Sequence, residues 1–304
     1  MSSKKLIVKF QGGLGNQLYD FAFYEWLKRE YPEYSVLADL SYYKIRMAHD
    51  DLGSWNIFPK MKLNLASNWE IYRASGQIPI IYGGKGADRL NAVRQSVNKK
   101  IFKERKWAYI SKCSNQPAKD VKEAINKGCV HFDGYWQNME YITEYINELR
   151  EKLQFPEECN KYLTGEMVQD NAVSLHVRRG DYVGSFYEQE VGIQYYKAAV
   201  TFIKSKVENA NFFIFTDDKD YAEATFDWIE NKTVVKGYDN KLAHVDMFLM
   251  SKIKNNIIAN STFSVWAAYL NEHKDSIVVY PDVKTMEKKA FSSWQGIKFD
   301  KEDL

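Results

Sequence analysis

Residues 172–182 read Ala172-Val-Ser-Leu-His-Val-Arg-Arg-Gly-Asp-Tyr182, and this stretch decides the fold. Its first six residues are mostly apolar, which predicts a buried strand over Ala172–Val177. Arg178 and Arg179 follow directly at the carboxyl end of that strand, where open α/β sheets bind their ligands. The stretch therefore predicts a buried strand of a parallel sheet that ends in a cationic site.

Strands and helices alternate through the rest of the C-terminal half. Further strands are predicted over Asn211–Thr216, Thr233–Lys236, Asn256–Ala259 and Ser276–Tyr280, and helices over Gly192–Lys206, Asp218–Asn231, Lys241–Lys252 and Thr262–Asn271. Alternation of this kind is typical of a parallel sheet that helices cover on both faces.

The N-terminal half begins with the same alternation. A strand is predicted over Lys5–Phe10, followed by a glycine-rich turn over Gln11–Gln17. The next segment is a helix that ends near Tyr31, because the residue before a proline avoids the helical region. A second strand over Ser35–Asp39 gives this half a β-loop-α-β start.

The pattern weakens from about 41 to 117, where we expect helices and long loops, and it resumes with a strand over Lys127–Asp133 and a helix over Asn138–Leu153. A polar segment that is typical of a linker follows. At roughly 150 residues per domain, 304 residues suggest two domains. We therefore predict an N-terminal α/β domain over 1–155 and a C-terminal α/β domain over 156–304.

The charge balance restricts the kind of partner. The chain has 42 Lys and Arg against 40 Asp and Glu, a formal net charge of +2. General nucleic-acid binding needs an excess of basic residues to neutralise phosphates, so we expect no nucleic-acid partner, and any anion site must be local. Aromatic residues make up 15% of the chain, which suits stacking on a sugar or base but equally suits a large core.

The three cysteines Cys113, Cys129 and Cys159 are widely spaced, and the sequence has no CxxC or HExxH motif. A disulfide framework or a structural zinc site is therefore not expected, and the thiols are predicted to be reduced and buried. No signal-peptide core follows the N-terminus, and no run approaches the roughly 18 apolar residues of a membrane span. We expect a soluble, cytoplasmic protein.

The arginine motif has the chemistry of a phosphate site. A guanidinium group matches phosphate oxygens with two parallel N–H donors, which lysine cannot do. Gly180 permits a sharp turn that brings backbone amides near an anion, and Asp181 is a carboxylate that can brace one of the arginines. An ordinary surface Arg–Asp ion pair is the alternative, but the position at a strand end favours the anion site.

The second motif is Gly12-Gly-Leu-Gly-Asn-Gln17, a turn that exposes amides at a helix N-terminus. Gly13 and Gly15 fit the start of a dinucleotide fingerprint, and Asp39 stands where a ribose-binding carboxylate would lie. Leu18 occupies the third glycine position, which argues against dinucleotide binding. Presentation of the Asn16 and Gln17 amides to a ligand is favoured, and a tight turn with an Asn cap is the alternative.

Carboxylates and hydroxyls follow other strands of the C-terminal half. Asp218-Lys-Asp220 matches the D-x-D of metal-dependent glycosyltransferases, but Asp218 is equally a helix N-cap, which we favour. Asp246 lies on an otherwise apolar helical segment, where a guanine edge or a salt bridge to Lys241 or Lys252 would explain it. Residues Ile257–Ser264 run from a strand into hydroxyls at a helix start, a second place suited to phosphate.

Taken together, the motifs resemble those of the bacterial α-1,2-fucosyltransferase family. The matching segments are Gly12–Gln17, Gly134-Tyr-Trp-Gln137, His176–Tyr182, Phe215–Asp218 and Ile258–Ser264 followed by Trp266. The resemblance covers nearly the whole chain in family order. It implies a GT-B fold, with two Rossmann-like α/β domains facing across a cleft, and GDP-fucose as donor without a metal or other cofactor.

The resemblance also implies roles for individual residues. Arg178 is expected to stabilise the departing GDP, with Arg179 assisting and Asp181 bracing, and Asn16 to contact the fucose or the reacting centre. The remaining donor-binding residues are expected to be His176 and Asp246 around the guanine and ribose, Asn260, Ser261, Thr262 and Ser264 near the diphosphate, and Gly13 and Gly15 in the turn.

No carboxylate is an obvious catalytic base, and Asp20 and Asp39 are the candidates. Asp20 follows Tyr19 where the family more often has Phe-Gln. The acceptor is expected to contact Tyr135, Trp136 and Gln137, the two aromatic rings stacking on a sugar.

The predicted reaction is inverting transfer of L-fucose from GDP-β-L-fucose to the 2-hydroxyl of a terminal galactose. Alternatives are another GDP-fucose transferase, forming an α-1,6 link or modifying protein hydroxyls, and a non-catalytic sugar-nucleotide or glycan-binding protein. Without a spanning segment, peripheral association with a membrane that carries a lipid-linked glycan stays open.

Overall fold

A computed structural model describes residues 4–44, 53–76, 93, 96–97, 108–235 and 242–299. The chain divides into two compact units, Met1–Lys152 and Leu153–Leu304. The sequence-based boundary between 155 and 156 lies three residues beyond this division, inside the polar segment that was predicted to be a linker.

The N-terminal unit contains a four-stranded parallel sheet with strand order β2-β1-β4-β3. The strands are β1 Lys4–Lys9, β2 Tyr34–Asp39, β3 Ala108–Ile110 and β4 His131–Asp133. The helices are α1 Leu14–Glu30, α2 Ser54–Ile57, α3 Asn68–Ser75, α4 Ala118–Asn126 and α5 Ile146–Lys152.

Helix α1 is the centre of this unit, because residues on all of its sides are buried between Leu14 and Leu27 except Asn16. A helix buried all round belongs to a core rather than to a surface. Aromatic rings surround it, and the ring of Phe23 stacks on Trp136 with 4.0 Å between centroids. In this unit, much of the aromatic excess therefore fills the core.

The helix predicted over Asn138–Leu153 is broken. Two 3-10 turns, Met139–Tyr141 and Thr143–Tyr145, precede α5. The Asn138 side chain accepts a hydrogen bond from the Glu140 amide at 3.0 Å, and Ile142 has an extended φ of −121°. Side-chain capping of this kind competes with a continuous helix, and the apolar spacing alone does not reveal it.

The C-terminal unit contains a six-stranded parallel sheet with order β10-β9-β8-β5-β6-β7, which confirms the predicted class. The strands are β5 Ala172–Val177, β6 Asn211–Thr216, β7 Lys232–Val234, β8 Asn255–Ile257, β9 Val278–Pro281 and β10 Gln295–Ile297. The short edge strand β10 was not predicted. The helices are α6 Phe186–Glu190, α7 Ile193–Lys204, α8 Lys219–Thr225, α9 Ala243–Lys252 and α10 Thr262–Tyr269.

Strand β5 lies inside this sheet, and all six of its residues are buried. Its apolar side chains share a core with residues such as Tyr195 on α7 and Phe212 on β6. The sheet therefore holds the carboxyl end of β5 rigidly between those of β6 and β8. The first residues of the predicted helix beyond β6 form α8, which ends at Thr225 rather than near Asn231.

Two predictions about the whole chain are tested in part. No helix within the described ranges is long and apolar enough to cross a membrane. The cysteines carry free thiols, of which Cys159 is buried and Cys129 partly so. Cys113 is exposed, contrary to the expectation of buried thiols, because it lies in a turn after the edge strand β3.

Candidate functional site

The carboxyl edge of the C-terminal sheet brings Arg178 beside Asp217. Val177 and Thr216 are partners in the β5–β6 register, so the next residue of each strand emerges at the same place. Arg178 Nη1 donates to Asp217 Oδ2 at 2.6 Å, while Nε and Nη2 donate to Asp181 Oδ1 at 3.1 and 2.7 Å. The predicted pairing with Asp181 is confirmed. Asp217 was missed as a partner, although its position directly after a neighbouring strand is visible in the sequence.

Arg179 contacts a different set of groups from those that hold Arg178. Its guanidinium pairs with Glu188 and lies 3.9 Å from the centroid of the Tyr221 ring. Arg179 Nε is 3.7 Å from Asp218 Oδ2, and the Arg179 amide donates to Asp217 Oδ1 at 2.8 Å. The two arginines are thus oriented by four carboxylates, and both keep part of their surface accessible.

Gly180 is required for this arrangement. A Cβ atom at this position would lie 2.5 Å from Asp217 Oδ2, closer than real Cβ atoms approach other atoms. The chain then makes a 3-10 turn over Gly180–Tyr182, which is the sharp turn that the sequence predicted. The glycine therefore lets the backbone pass directly against the carboxylate that holds Arg178.

His176 and Asp246 each have a buried polar atom that meets no hydrogen-bond partner among the described residues: His176 Nδ1 and Asp246 Oδ1. Burial, aided by the positive charge of Arg178, lowers the pKa of His176 to about 3, so its imidazole is neutral. Burial raises the pKa of Asp246 to about 7. Unsatisfied buried polar atoms are uncommon in native proteins and often mark a ligand-binding position.

The salt bridge weighed as an alternative for Asp246 is not made by Lys252, whose amine lies 5.8 Å from the centroid of the Phe248 ring. Lys241, the other partner considered, is outside the described residues. The Asp218 side chain accepts a hydrogen bond from the Tyr221 amide at 3.1 Å. Asp218 is thus the N-cap of α8, as predicted.

The hydroxyl-rich segment before α10 is held mainly by its own contacts. Ser261 caps the helix, and the buried Ser264 Oγ accepts from the Ala259 amide at 3.2 Å. Asn260 Nδ2 donates to the Tyr187 carbonyl at 3.1 Å and lies 3.3 Å from Glu190 Oε2. Thr262 is half-buried in the first turn of α10. The predicted cluster therefore shapes a helix N-terminus near α6.

The glycine turn of the N-terminal unit connects β1 with α1. Gly12 has a φ of +77°, and a Cβ there would lie 2.6 Å from Asn16 Nδ2. Gly13 precedes the helix, and Gly15 is buried in its first turn. Asn16 Oδ1 accepts from Gln137 Nε2 at 2.8 Å, so the motif after β4 orients the Asn16 amide.

Two side chains, Gln17 and Tyr43, hold this turn, and sequence reasoning missed that role of both. Gln17 Nε2 and the Tyr43 hydroxyl both donate to the Gly12 carbonyl, at 3.2 and 2.8 Å. Gln17 Oε1 also accepts from the Ser54 amide at 2.7 Å. Gln17 is fully buried, so its amide holds the turn together, although the sequence analysis favoured its presentation to a ligand.

The two candidate bases are both buried. Asp20 Oδ2 accepts from the Gln11 amide at 2.8 Å, and burial raises the pKa of Asp20 well above its usual value. Asp39 lies 3.0 Å from His131 Nε2. Although burial opposes ionisation, hydrogen bonds and charge from His131, together with Ser41, keep the pKa of Asp39 below its usual value. Burial therefore favours the neutral form of Asp20, and Asp39 is committed to an internal pair.

The residues expected to contact the acceptor, Tyr135, Trp136 and Gln137, lie partly in the core and partly at the surface. Trp136 is fully buried with its ring against Phe23, so the expected sugar-stacking face of Trp136 is covered by the core. The positive φ of Trp136, 50°, turns its side chain inward. Tyr135 is 38% exposed, and Gln137 contacts Asn16. Of the two aromatic residues, Tyr135 keeps a face that a sugar can reach.

Metal binding was not expected. Throughout the part of the chain that the structure describes, no group of three or more His, Cys, Asp or Glu side chains is arranged to hold a metal ion. Positive charge at the carboxyl edge of the C-terminal sheet comes from the arginines instead.

Comparison with known proteins identifies the family. The family model of Glycosyl transferase family 11 matches residues 104–298. An Alpha-1,2-colitosyltransferase of Escherichia coli is 30% identical over 91% of this chain and 91% of its own length. The O-antigen biosynthesis glycosyltransferase WbnK of Escherichia coli is 29% identical over 89% of this chain and 91% of its own length.

Among solved structures, the NodZ alpha-1,6-fucosyltransferase soaked with GDP-fucose is similar, with a TM-score of 0.48 and 14% identity over 93% of this chain and 97% of that chain. Each unit described above is an α/β layer of the Rossmann-like kind that a GT-B fold contains. The family match covers most of the chain, including the whole arginine motif. The chain belongs to Glycosyl transferase family 11.

Proposed function

We propose that this glycosyltransferase moves L-fucose from GDP-β-L-fucose to the 2-hydroxyl of a terminal galactose. The observation that carries the proposal is the arginine pair at the carboxyl end of β5, with Arg178 held by Asp217 and Asp181. Breaking the bond between fucose C1 and the phosphate oxygen develops negative charge on GDP. Fixed guanidinium groups oppose that charge and need no reorganisation as the reaction proceeds.

The donor's nucleoside is expected to contact His176 and Asp246. Guanine presents N–H donors at N1 and N2, and an ionised carboxylate with an unpartnered buried oxygen is suited to accept them. A neutral His176 offers a ring nitrogen to the ribose or base without adding a charge. Two such atoms in the unit that carries the arginines support a nucleotide as the ligand.

The N-terminal unit is proposed to hold the acceptor and the reacting sugar. Asn16, oriented by Gln137, would place its amide near the fucose, and Tyr135 would stack on the acceptor. The acceptor oxygen bonds to fucose C1 from the face opposite the leaving GDP, so a β-linked donor gives an α-linked product. The hydroxyl proton leaves with at most modest help from a base.

The reaction is proposed to need no metal, because the arginines supply the positive charge. Transfer is then expected to continue in EDTA. We also keep the expectation of a cytoplasmic enzyme whose acceptor is a surface glycan or its lipid-linked precursor. The similarity to an O-antigen biosynthesis glycosyltransferase, which extends over 91% of that protein's length, supports an acceptor of this kind.

A second donor is favoured by a specific observation, the 30% identity to an Alpha-1,2-colitosyltransferase. Colitose is L-fucose without the 3-hydroxyl group, so the two donors differ by one hydrogen-bonding group. A site that is built to bind a hydroxyl rejects the analogue without it, while an apolar site discriminates weakly. The choice between these donors therefore depends on groups around C3 of the sugar.

The test is incubation of the purified chain with GDP-fucose or GDP-colitose and lactose, with product linkage determined by NMR. Fucosyllactose linked at C2 supports the proposal, and a higher kcat/KM with GDP-colitose favours the second donor. Transfer to C6 of a sugar or to a protein hydroxyl assigns another GDP-fucose transferase. Saturable GDP-fucose binding without turnover on any acceptor indicates a binding protein.

A further inference from the structure

The guanidinium group of Arg178 is held by two carboxylates on different edges. Asp181 Oδ1 accepts from both Nε and Nη2, at 3.1 and 2.7 Å. Asp217 Oδ2 accepts from Nη1 alone, at 2.6 Å. Asp181 thus occupies one of the two guanidinium edges whose paired N–H donors can bind a phosphate in a bidentate manner.

The two carboxylates differ in how firmly they are held. Asp217 follows β6 directly, its Oδ1 accepts from the Arg179 amide at 2.8 Å, and the backbone of Gly180 packs against its Oδ2. Its side chain is 29% exposed. Asp181 lies in the 3-10 turn, its side chain is 59% exposed, and among the described residues it hydrogen-bonds to Arg178 alone.

We propose that Asp217 is the positioning residue for Arg178, and that Asp181 occupies the place that the donor diphosphate takes. This inference rests on the proposed function, in which Arg178 binds the diphosphate. When the donor binds, its phosphate oxygens replace Asp181 on the Nε and Nη2 edge, and the released carboxylate is solvated. Asp217 keeps Nη1 and so keeps the direction of the guanidinium through the reaction.

The exchange is energetically reasonable. An exposed ion pair such as Arg178–Asp181 contributes little to stability, so its loss costs little. The Asp217 carboxylate also accepts from the Arg179 amide and packs against Gly180. Displacing this carboxylate would therefore disturb the whole turn. The diphosphate therefore replaces the weakly held carboxylate and leaves the firmly held one in place.

The experiment compares Asp217→Asn with Asp181→Asn. Each substitution removes one negatively charged partner of the same guanidinium group. A difference between the two variants therefore reports where the carboxylate lies rather than the loss of its charge. In Asp217→Asn we expect kcat to fall roughly tenfold, less than the about 10²–10³-fold typical of losing the donor group itself. In Asp181→Asn we expect GDP to bind up to about fivefold more tightly, because a competing ion pair is gone.

Gly180→Ala provides a test without any change of charge. The added Cβ would meet Asp217 Oδ2, so this variant should lower kcat as Asp217→Asn does. Gly165→Ala is the matched control, because a Cβ there meets no atom within 4 Å in the described structure. Thermal unfolding of every variant shows whether a lowered kcat comes with a lost fold, and Asp181→Asn, on an exposed residue, tests the inference independently of that.

Calorimetric titration of the unaltered chain with GDP distinguishes a failure of the proposed function from a failure of the inference about Asp217 and Asp181. If the unaltered chain does not bind GDP, the proposed function and this inference both fail. If it binds GDP but Asp181→Asn weakens binding, or Asp217→Asn and Asp181→Asn lower kcat equally, the inference is overturned and the proposed function stands. Tighter GDP binding in Asp181→Asn with lower kcat in Asp217→Asn and Gly180→Ala supports it.

Discussion

The two sheets end in different kinds of edge. At the carboxyl end of β1, the glycine turn is closed by uncharged groups, with Asn16 held by Gln137 and the Gly12 carbonyl held by Tyr43. At the carboxyl end of β5, charged groups dominate, and Arg178 is oriented by carboxylates that are themselves partly exposed. The first edge pairs its charged groups internally, as Lys9 does with Asp133 at 2.6 Å, and presents uncharged groups, while the second offers charge to a ligand.

Under the proposed function, this difference would let two similar α/β layers bind different substrates. An edge that presents guanidinium groups and a buried carboxylate with an unpartnered oxygen fits a charged nucleotide. An edge built from amides, with an exposed Tyr135 beside it, fits an uncharged sugar. Variants at either edge should therefore lower kcat, but only those at the charged edge should also change GDP affinity.

The largest effect is expected at Arg178. Arg178→Ala removes a guanidinium group that faces developing negative charge, and we expect kcat to fall by about 10²–10³-fold or more. Arg178→Lys keeps the charge but loses the two parallel donors, so its activity should lie between that of Arg178→Ala and that of the unaltered chain. Steady-state transfer assays with GDP-fucose measure both.

Lys197→Ala is the control for Arg178→Ala, because it removes a positive charge from an exposed position on α7 of the same unit. Its activity should match that of the unaltered chain. Near-normal transfer by Arg178→Ala would contradict the phosphate role, and with it the contrast between a charged and an uncharged edge.

The second effect concerns Asp246 and pH. Its pKa is raised to about 7, so the carboxylate that would accept from guanine is ionised only above that pH. GDP affinity should therefore fall by up to about tenfold per pH unit below pH 7. Asp246→Asn should weaken GDP binding by about 10- to 150-fold at pH 8 and remove this pH dependence.

The contribution of Asp246 to folding stability should depend on pH in the opposite direction to its contribution to GDP affinity. The folded-state pKa lies above the unfolded value, so ionised Asp246 destabilises the fold increasingly as pH rises from about 4 to 7. Asp246→Asn should therefore raise the melting temperature more at pH 8 than at pH 5. The control is Asp275→Asn, an exposed carboxylate. Tight GDP binding by Asp246→Asn at pH 8 would refute the guanine contact.

The regular part of the fold was predictable because its signals are local. The bounds of β5 and β6 match the predicted strands, since both are apolar runs bordered by polar residues. The helix predicted at Asn138–Leu153 was wrong in part because a capping side chain redirects the chain locally. Strand β10 escaped prediction because three residues carry too little periodicity to be recognised.

The candidate site was predictable where a motif stands at a strand end, as with Arg178 and Asp181. Asp217 was missed because its pairing depends on which strand lies beside β5, and strand order is a tertiary property. The burial of Trp136 was missed for a similar reason, because rings from separate elements cover it, among them Phe23 of α1 and Phe132 of β4. Sequence motifs thus predicted which residues lie at the strand ends, while neighbours across the sheet determined their contacts.

A smaller effect is expected at Asn16. Asn16→Ala should lower kcat roughly tenfold, the size of one or two lost hydrogen bonds, and leave GDP affinity unchanged. Gln137→Ala should have a weaker effect of the same kind, because Gln137 orients the Asn16 amide through a 2.8 Å hydrogen bond. If Gln137 acts through Asn16, the double variant should be no worse than Asn16→Ala. A change in GDP affinity in either variant would contradict the division between the edges.

The smallest effect is expected at Asp20, the candidate base. Because burial raises the pKa of Asp20 well above its usual value, burial favours the neutral form, and an asparagine can accept the hydrogen bond from the Gln11 amide in its place. Asp20→Asn should therefore change kcat by less than about threefold, whereas loss of a general base typically costs about 10²–10⁴-fold. Asp20→Ala removes that hydrogen bond and should lower the melting temperature more than Asp20→Asn does. A large loss of kcat in Asp20→Asn, at an unchanged melting temperature, would instead assign Asp20 to proton transfer and place charge chemistry at the edge described above as uncharged.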